Sequence, residues 1–359
     1  MKITINRDLP LGEEPNKGHN RWHPDIPAIA KVRPGESIAI ETRDALNGQV
    51  KPGMTGSDIE HFAANVAHPL TGPIAIEGAK PGDLLAVHIE KIEPQPRGYT
   101  SFRGADFGFL RDVFLHKYLV HWEIEGELAR SPQIAGVAIP GAPFMGVMGV
   151  APSHDLMKTI VAREAELAAK GHLVGLPDSR GAVPGKEPLA STALRTIPPR
   201  ENGGNFDVKQ LTAGTTLFLP VFVEGANFST GDAHFAQGDG ESCGTAVEMA
   251  ATLHARFEVL SGEAARRGVT EPLYAGTYAY DAARMHGKHY YATTGSAETI
   301  ELSARKALLA MIDYIVDARG YTRDQAYCIC SVAVDLHLSQ IVDMPNYTVS
   351  AFLPFEIFE

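Results

Sequence analysis

One stretch, residues 231–244 (GDAHFAQGDGESCG), constrains what this chain can fold into more than any other. Ten consecutive residues of it hold Asp232, His234, Gln237, Asp239 and Glu241, with glycines between them. An apolar run, residues 216–223, precedes it. Residues 252–259 follow with polar and apolar side chains alternating at period 2, so both flanks read as strands. A polar cluster between strands is costly unless it is exposed, fully hydrogen-bonded or bound to a ligand. A Gly/Asp-rich surface turn meets the first condition and a ligand site meets the last.

Composition removes several functions. The 359 residues suffice for a large core, as two domains or one elaborate unit, and 44% hydrophobic with 21% charged residues is ordinary for a soluble globular chain. A net charge of -11 repels a phosphate backbone, and no basic patch with interleaved aromatics reverses that, so a nucleic-acid partner is not expected. No apolar run approaches the roughly 20 residues that span a bilayer. The first eight residues lack a signal-peptide core. Cys243, Cys328 and Cys330 make no disulfide framework, and the one-residue gap between the last two suits neither a zinc knuckle nor a redox pair. A cytoplasmic location is expected, with Cys328 and Cys330 as packing residues.

Residues 1 to 95 are punctuated by Gly and Pro, with short apolar runs at 37–42 and 84–89, which is the grammar of strands joined by tight turns. Within them, residues 18–25 (GHNRWHPD) bring two His and an Asp near one another at His19, His23 and Asp25; a hydrogen-bonding loop is the expected outcome and metal binding the sharper one. Residues 102–122 carry no readable period. A helix is predicted over 155–170, capped by Ser153 or Asp155 and stopped by Gly171. Residues 175–199 read as a long proline-rich loop. In residues 201–207, Gly203 and Gly204 let the backbone approach a ligand, and Asn205 and Asp207 share a face if the segment is extended. Residues 303–318 show Leu308, Leu309, Ile312, Ile315 and Val316 at helical spacing, Thr322 with Gln325 forms a capping box, and residues 335–343 alternate as a late strand. The fold class is therefore α+β: a β-rich portion, 1–230, and an α+β portion, 231–359, packed as one unit.

Six ordered blocks carry a resemblance: residues 18–27 (GHNRWHPDIP), 68–73 (HPLTGP), 77–83 (EGAKPGD), 199–207 (PRENGGNFD), 219–226 (LPVFVEGA) and 231–241 (GDAHFAQGDGE). In them the chain resembles the acetamidase/formamidase family of short-chain amide hydrolases over nearly its whole length. The resemblance implies a β-sandwich-based α+β fold, a homo-oligomer, and hydrolysis of formamide or acetamide to carboxylate and ammonia.

Amide hydrolysis needs an activated nucleophile, an electrophile for the oxyanion and an acid for the leaving amine. In one arrangement Asp232 and His234, two apart on a strand, hold a divalent metal with Asp207 as third ligand. Zinc is the expected ion and calcium the alternative. Glu241 or Asp239 then moves the proton to nitrogen, and Gly204, Asn205 and Gln237 are the candidate substrate contacts. In the other, Cys243 is the nucleophile and Glu241 its base. A third reading is a non-catalytic small-ligand-binding β-sandwich, whose acidic cluster would be a structural calcium site with six or more oxygen ligands.

Overall fold

The computed structural model describes residues 1–276 and 289–359. Among the described residues, fifteen strands join in one large, mostly antiparallel sheet. Its spine is a pair of long strands, Leu84–Arg103 and Glu248–Leu260, aligned from Tyr99 opposite Glu248 to Leu84 opposite Leu260. The alternation of residues 252–259 explains the second strand. Leu253, Ala255 and Phe257 are fully buried, whereas His254, Arg256 and Glu258 stand outside the core. The first strand is longer than the sequence predicts, because its apolar run 84–89 continues through Pro94 and Pro96 into Phe102. Residues 117–125, within and beyond the unreadable stretch, form the next strand and pair with it.

The helices form where their local signals stand. Helix His154–Ala169 opens with the Ser153 hydroxyl accepting the Leu156 N–H at 3.1 Å. Helix Ile300–Arg319 is capped by Thr299 and closed by Gly320 in the left-handed region at φ 74°, and buries Ala307, Leu308, Met311, Ile312 and Ile315 on one stripe. It packs on a smaller sheet of strands Tyr290–Ala297, Asp335–Gln340 and Tyr347–Pro354. The stretch expected as one long loop contains a short helix, Leu189–Thr192, and a strand, Leu194–Arg195, which pairs with Arg21–Trp22. Among the described residues no helix is long and apolar enough to cross a membrane.

Helix Arg323–Ala333, entered through the Thr322–Gln325 capping box, is buried from Ala326 onward. It holds the polar 237–245 segment against the sheet. Gly238 N–H donates to Ser331 O at 2.9 Å, and a Cβ on Gly238 would lie 2.2 Å from the Val334 carbonyl oxygen, so the two backbones touch only because this residue is glycine. The Tyr327 hydroxyl donates to Ser242 O at 2.5 Å and accepts Leu110 N–H at 2.9 Å, anchoring the same segment a second time.

Candidate active site

The register of the sheet assembles the site. Phe144 lies opposite His234, His234 opposite Glu248, and Glu248 opposite Tyr99. Directly paired residues of antiparallel strands share a face. Four strands thus deliver an aromatic ring, an imidazole, a carboxylate and a phenol in one row. The Phe144 ring meets the His234 imidazole edge to face, with centroids 4.9 Å apart. Asp232 ends up on this row by a different route. It sits at φ 56°, so it does not follow the simple two-residue alternation that its spacing from His234 predicts.

Asp207 and Glu241 adopt the same left-handed backbone, at φ 44° and 43°. For residues other than glycine that conformation costs about 1–2 kcal/mol each and persists where the surroundings enforce it. Three site carboxylates carry it. Strand Gly203–Asn205 ends before Asp207, so Asn205 and Asp207 do not sit on one extended segment as the sequence suggested. Gly146 makes room for two of the acids: a Cβ there would stand 2.5 Å from Asp207 Oδ1 and 2.9 Å from Asp232 Oδ2.

The polar atoms converge. His234 Nε2 is 3.5 Å from Asp232 Oδ1 and 3.2 Å from Glu248 Oε2. One ligand atom each from Asp207, Asp232 and His234 lies within 4.8 Å of the others, and the same holds for His234, Glu241 and Glu248. Asp232, His234 and Glu248 are only 3%, 1% and 2% exposed. Even so, Asp207 Oδ1, Asp232 Oδ1, His234 Nε2 and Glu248 Oε2 make no hydrogen bond, and neither does His68 Nδ1, 4.0 Å from Asp232 Oδ2. Buried polar atoms are normally hydrogen-bonded, so these five, held only by the ion-pair contacts of His234 and His68, are placed for a ligand.

Electrostatics point the same way. Burial pushes Asp207 up to about 8, with Asp232 and Glu248 adding to the rise against the pull of His234. Burial also raises Glu248 to about 7 and drives Glu241 well above its ordinary range, the latter helped by the neighbouring Asp207. For His234 burial opposes protonation, but Glu248 and Asp232 overcome it and lift the imidazole well above its usual value. For Asp232 burial is overcome by His68 and His234, which hold the carboxyl low. So many buried acids cannot all ionise on their own; a bound cation would let them. The donor set, one imidazole nitrogen and several carboxylate oxygens, fits a divalent cation.

The remaining predicted site residues divide. Gln237 takes the His234 Nδ1–H on its carbonyl at 2.9 Å and donates to Asp207 O at 3.0 Å, so it orients the imidazole with Nε2 toward the carboxylates. Asn205 keeps a buried Oδ1 without a hydrogen bond. Gly204, at φ 99°, pairs with Met148, and its open side faces the Trp22 indole nitrogen. Asp239 turns away to a buried cluster with Lys209, at 3.1 Å, and Asp335, which also accepts from Lys209. His68, Glu248 and Gly146 were not singled out as site residues. The first lies in a proline-rich block that reads as a rigid loop, and the second opens a strand fourteen positions after His234, joined to it only by register.

Cys243 points elsewhere. Its thiol lies 3.6 Å from the carbonyl oxygens of Ser101 and Thr245, and its N–H donates to Ser331 Oγ at 3.0 Å. It is fully buried between the long strand and helix Arg323–Ala333. Cys243→Ala should keep ammonia release within a few-fold of wild type and cost about 1 kcal/mol of stability. A hundredfold loss of turnover in a folded Cys243→Ala protein would put the thiol in the chemistry.

A buried acid–imidazole cluster, built on positive-φ backbone and lined with donor atoms that lack hydrogen bonds, is the arrangement expected of a ligand or reaction site. Comparison with known proteins gives the family. Residues 4–359 match the Acetamidase/Formamidase family, and the chain belongs to it. It is 33% identical to a formamidase of Methylophilus methylotrophus, covering 100% of this chain and 94% of that protein. It is 34% identical to an acetamidase of Mycolicibacterium smegmatis, covering 91% and 88%. Among solved structures, a gamma lactamase from Delftia acidovorans superposes with a TM-score of 0.93 at 30% identity, over 100% of this chain and 94% of that one. The chain is a hydrolase of amide C–N bonds.

Proposed function

We propose that the chain hydrolyses short aliphatic amides of the formamide and acetamide class to carboxylate and ammonia, using a divalent ion, zinc first, held by Asp207, Asp232 and His234 beside Glu248. The observation that carries this reading is the convergence of unpaired, buried donor atoms from these four residues. When bound, such an ion polarises the amide carbonyl and acidifies water toward neutrality. The protein's own groups do the rest. Glu248, facing His234, accepts the proton of the attacking water. Glu241, whose carboxyl burial and the neighbouring Asp207 push well above its ordinary range, gives one to the departing nitrogen. Asn205 Oδ1 accepts an N–H of the substrate amide and fixes its orientation. Phe144 and the closely packed sheet leave little room for the acyl group, so turnover falls steeply with each added methylene.

The test is ammonia release from formamide, acetamide, propionamide and a γ-lactam, before and after chelation of a protein shown to remain folded, and again after zinc add-back. Loss on chelation, recovery with zinc and a decline with acyl length are expected. Full activity in metal-free protein refutes the metal, and equal turnover of formamide and a bulky aromatic amide refutes the small acyl pocket.

The same reading includes a homo-oligomer. Leu338, Ile341, Val342 and Met344 cluster at one end of the smaller sheet and are 57%, 52%, 75% and 80% exposed, an apolar patch that a second copy of the chain would cover. Joint replacement of Val342 and Met344 by Asp should shift sedimentation to a 38.6 kDa monomer. A wild type that is already monomeric at micromolar concentration refutes the assembly.

A further inference from the structure

A second group of ligand-type side chains lies outside the buried cluster. His23 and Asp25 follow Trp22 in the loop after strand Arg21–Trp22, and His154 is the first residue of helix His154–Ala169. Asp25 and His154 meet across 129 residues of sequence. His154 Nε2 is 3.2 Å from Asp25 Oδ1, and His23 Nδ1 is 3.8 Å from Asp25 Oδ2. The two imidazoles stand edge to face, with centroids 5.4 Å apart and planes at 80°. One ligand atom from each residue falls within 4.8 Å of the other two. A tetrahedral ion with bonds of about 2.0–2.1 Å needs ligand atoms about 3.3–3.5 Å apart, a span that the 3.2 and 3.8 Å separations from Asp25 to the two imidazoles bracket.

We propose that His23, Asp25 and His154 form a second divalent-cation site, open to solvent and of the zinc class. Two imidazoles with one carboxylate make a borderline-soft donor set, which favours zinc, nickel or copper over calcium or magnesium. The side chains of Asp25 and His154 are 60% and 59% exposed, so an ion enters from solvent and completes its shell with water, while His23 at 8% anchors the site. The Asp25 N–H donates to His23 Nδ1 at 3.1 Å, so the loop that carries the carboxylate fixes the ring, and an ion at Nδ1 takes the place of this hydrogen bond. The N-terminal dipole of the helix opposes a cation, and Asp25 with Asp155 of the first turn offsets it.

The role that follows is structural. An ion here ties the 23–25 loop to the helix. The neighbouring Trp22 packs against Gly149 and Gly204, on paired strands Phe144–Gly149 and Gly203–Asn205, so occupancy braces that part of the sheet.

Equilibrium dialysis of the full-length protein against zinc at neutral pH, followed by metal analysis, tests this. His154→Ala and, independently, Asp25→Asn should each bind one zinc per chain fewer than wild type, with ammonia release unchanged. Zinc should raise the Tm of the wild type more than that of either variant, and acidification through the imidazole range should abolish the difference. Equal zinc content in wild type and both variants, the outcome if the three residues form only an ion pair, overturns the proposal. The comparison is a difference between proteins that share the buried cluster. A cluster that holds no metal lowers every count by one and leaves the difference intact.

Discussion

His234→Ala and Asp232→Asn should each remove bound metal and ammonia release together, with turnover down on the order of 10³-fold or more. The electrophile lost is worth several kcal/mol, and each 1.4 kcal/mol is a factor of ten in rate. Among the described residues, His234 is the one imidazole whose Nε2 faces both Asp232 and Glu248. Asp232→Asn keeps the shape and removes the charge, which separates ligation from packing. Metal content by mass spectrometry and the far-UV CD spectrum, read beside activity, check the expectation. A folded His234→Ala protein that retains its metal and turns over acetamide at the wild-type rate would sink the ligand assignment.

Gly146→Ala should cost at least about 10²-fold in turnover through a single methyl group, because misplacing reacting groups by about 1 Å has effects of that size. The added Cβ would lie 2.5 Å from Asp207 Oδ1 and 2.9 Å from Asp232 Oδ2, so one or both carboxylates must shift from their places. Gly146 does not sit at positive φ, so the backbone itself accepts alanine. The stability cost should be that of modest overpacking, about 1–3 kcal/mol. Gly12→Ala is the control: nothing lies within 4 Å of its Cβ position and its φ is not positive, so activity should be unchanged. An active Gly146→Ala enzyme with normal metal content would mean that the two carboxylates need not converge.

What could be read from sequence was what is local. The 303–318 periodicity, the Thr322–Gln325 box and the 252–259 alternation each carry their signal within one or two turns or one strand, and each element forms there. The long strand Leu84–Arg103 was legible only at its start. Pro94, Pro96 and Gly98 break its pattern, while pairing on both sides, which no short window contains, keeps it a strand. In the site, Asp207, Asp232 and His234 stood out because a dense polar run between apolar strands is expensive. Glu248 and His68 could not stand out, since only cross-strand register and a distant loop bring them to His234 and Asp232. Asp239 and Glu241 look equivalent in sequence, two apart in one glycine-rich run. The turn between them sends Asp239 to Lys209 and Asp335, and leaves Glu241 at positive φ among the acids. Cys243 likewise shares the run but faces the helix that clamps it.

The claim on which the account rests is that a divalent cation sits among Asp207, Asp232, His234 and Glu248. Crystals of active enzyme grown with zinc, with diffraction recorded on both sides of the zinc absorption edge, test it most directly. The account predicts an anomalous peak bonded to His234 Nε2 and to carboxylate oxygens of Asp232 and Asp207, at about 2.0–2.2 Å. An active crystal with no anomalous density in that cluster, its carboxylates bridged by protons and water alone, would contradict it.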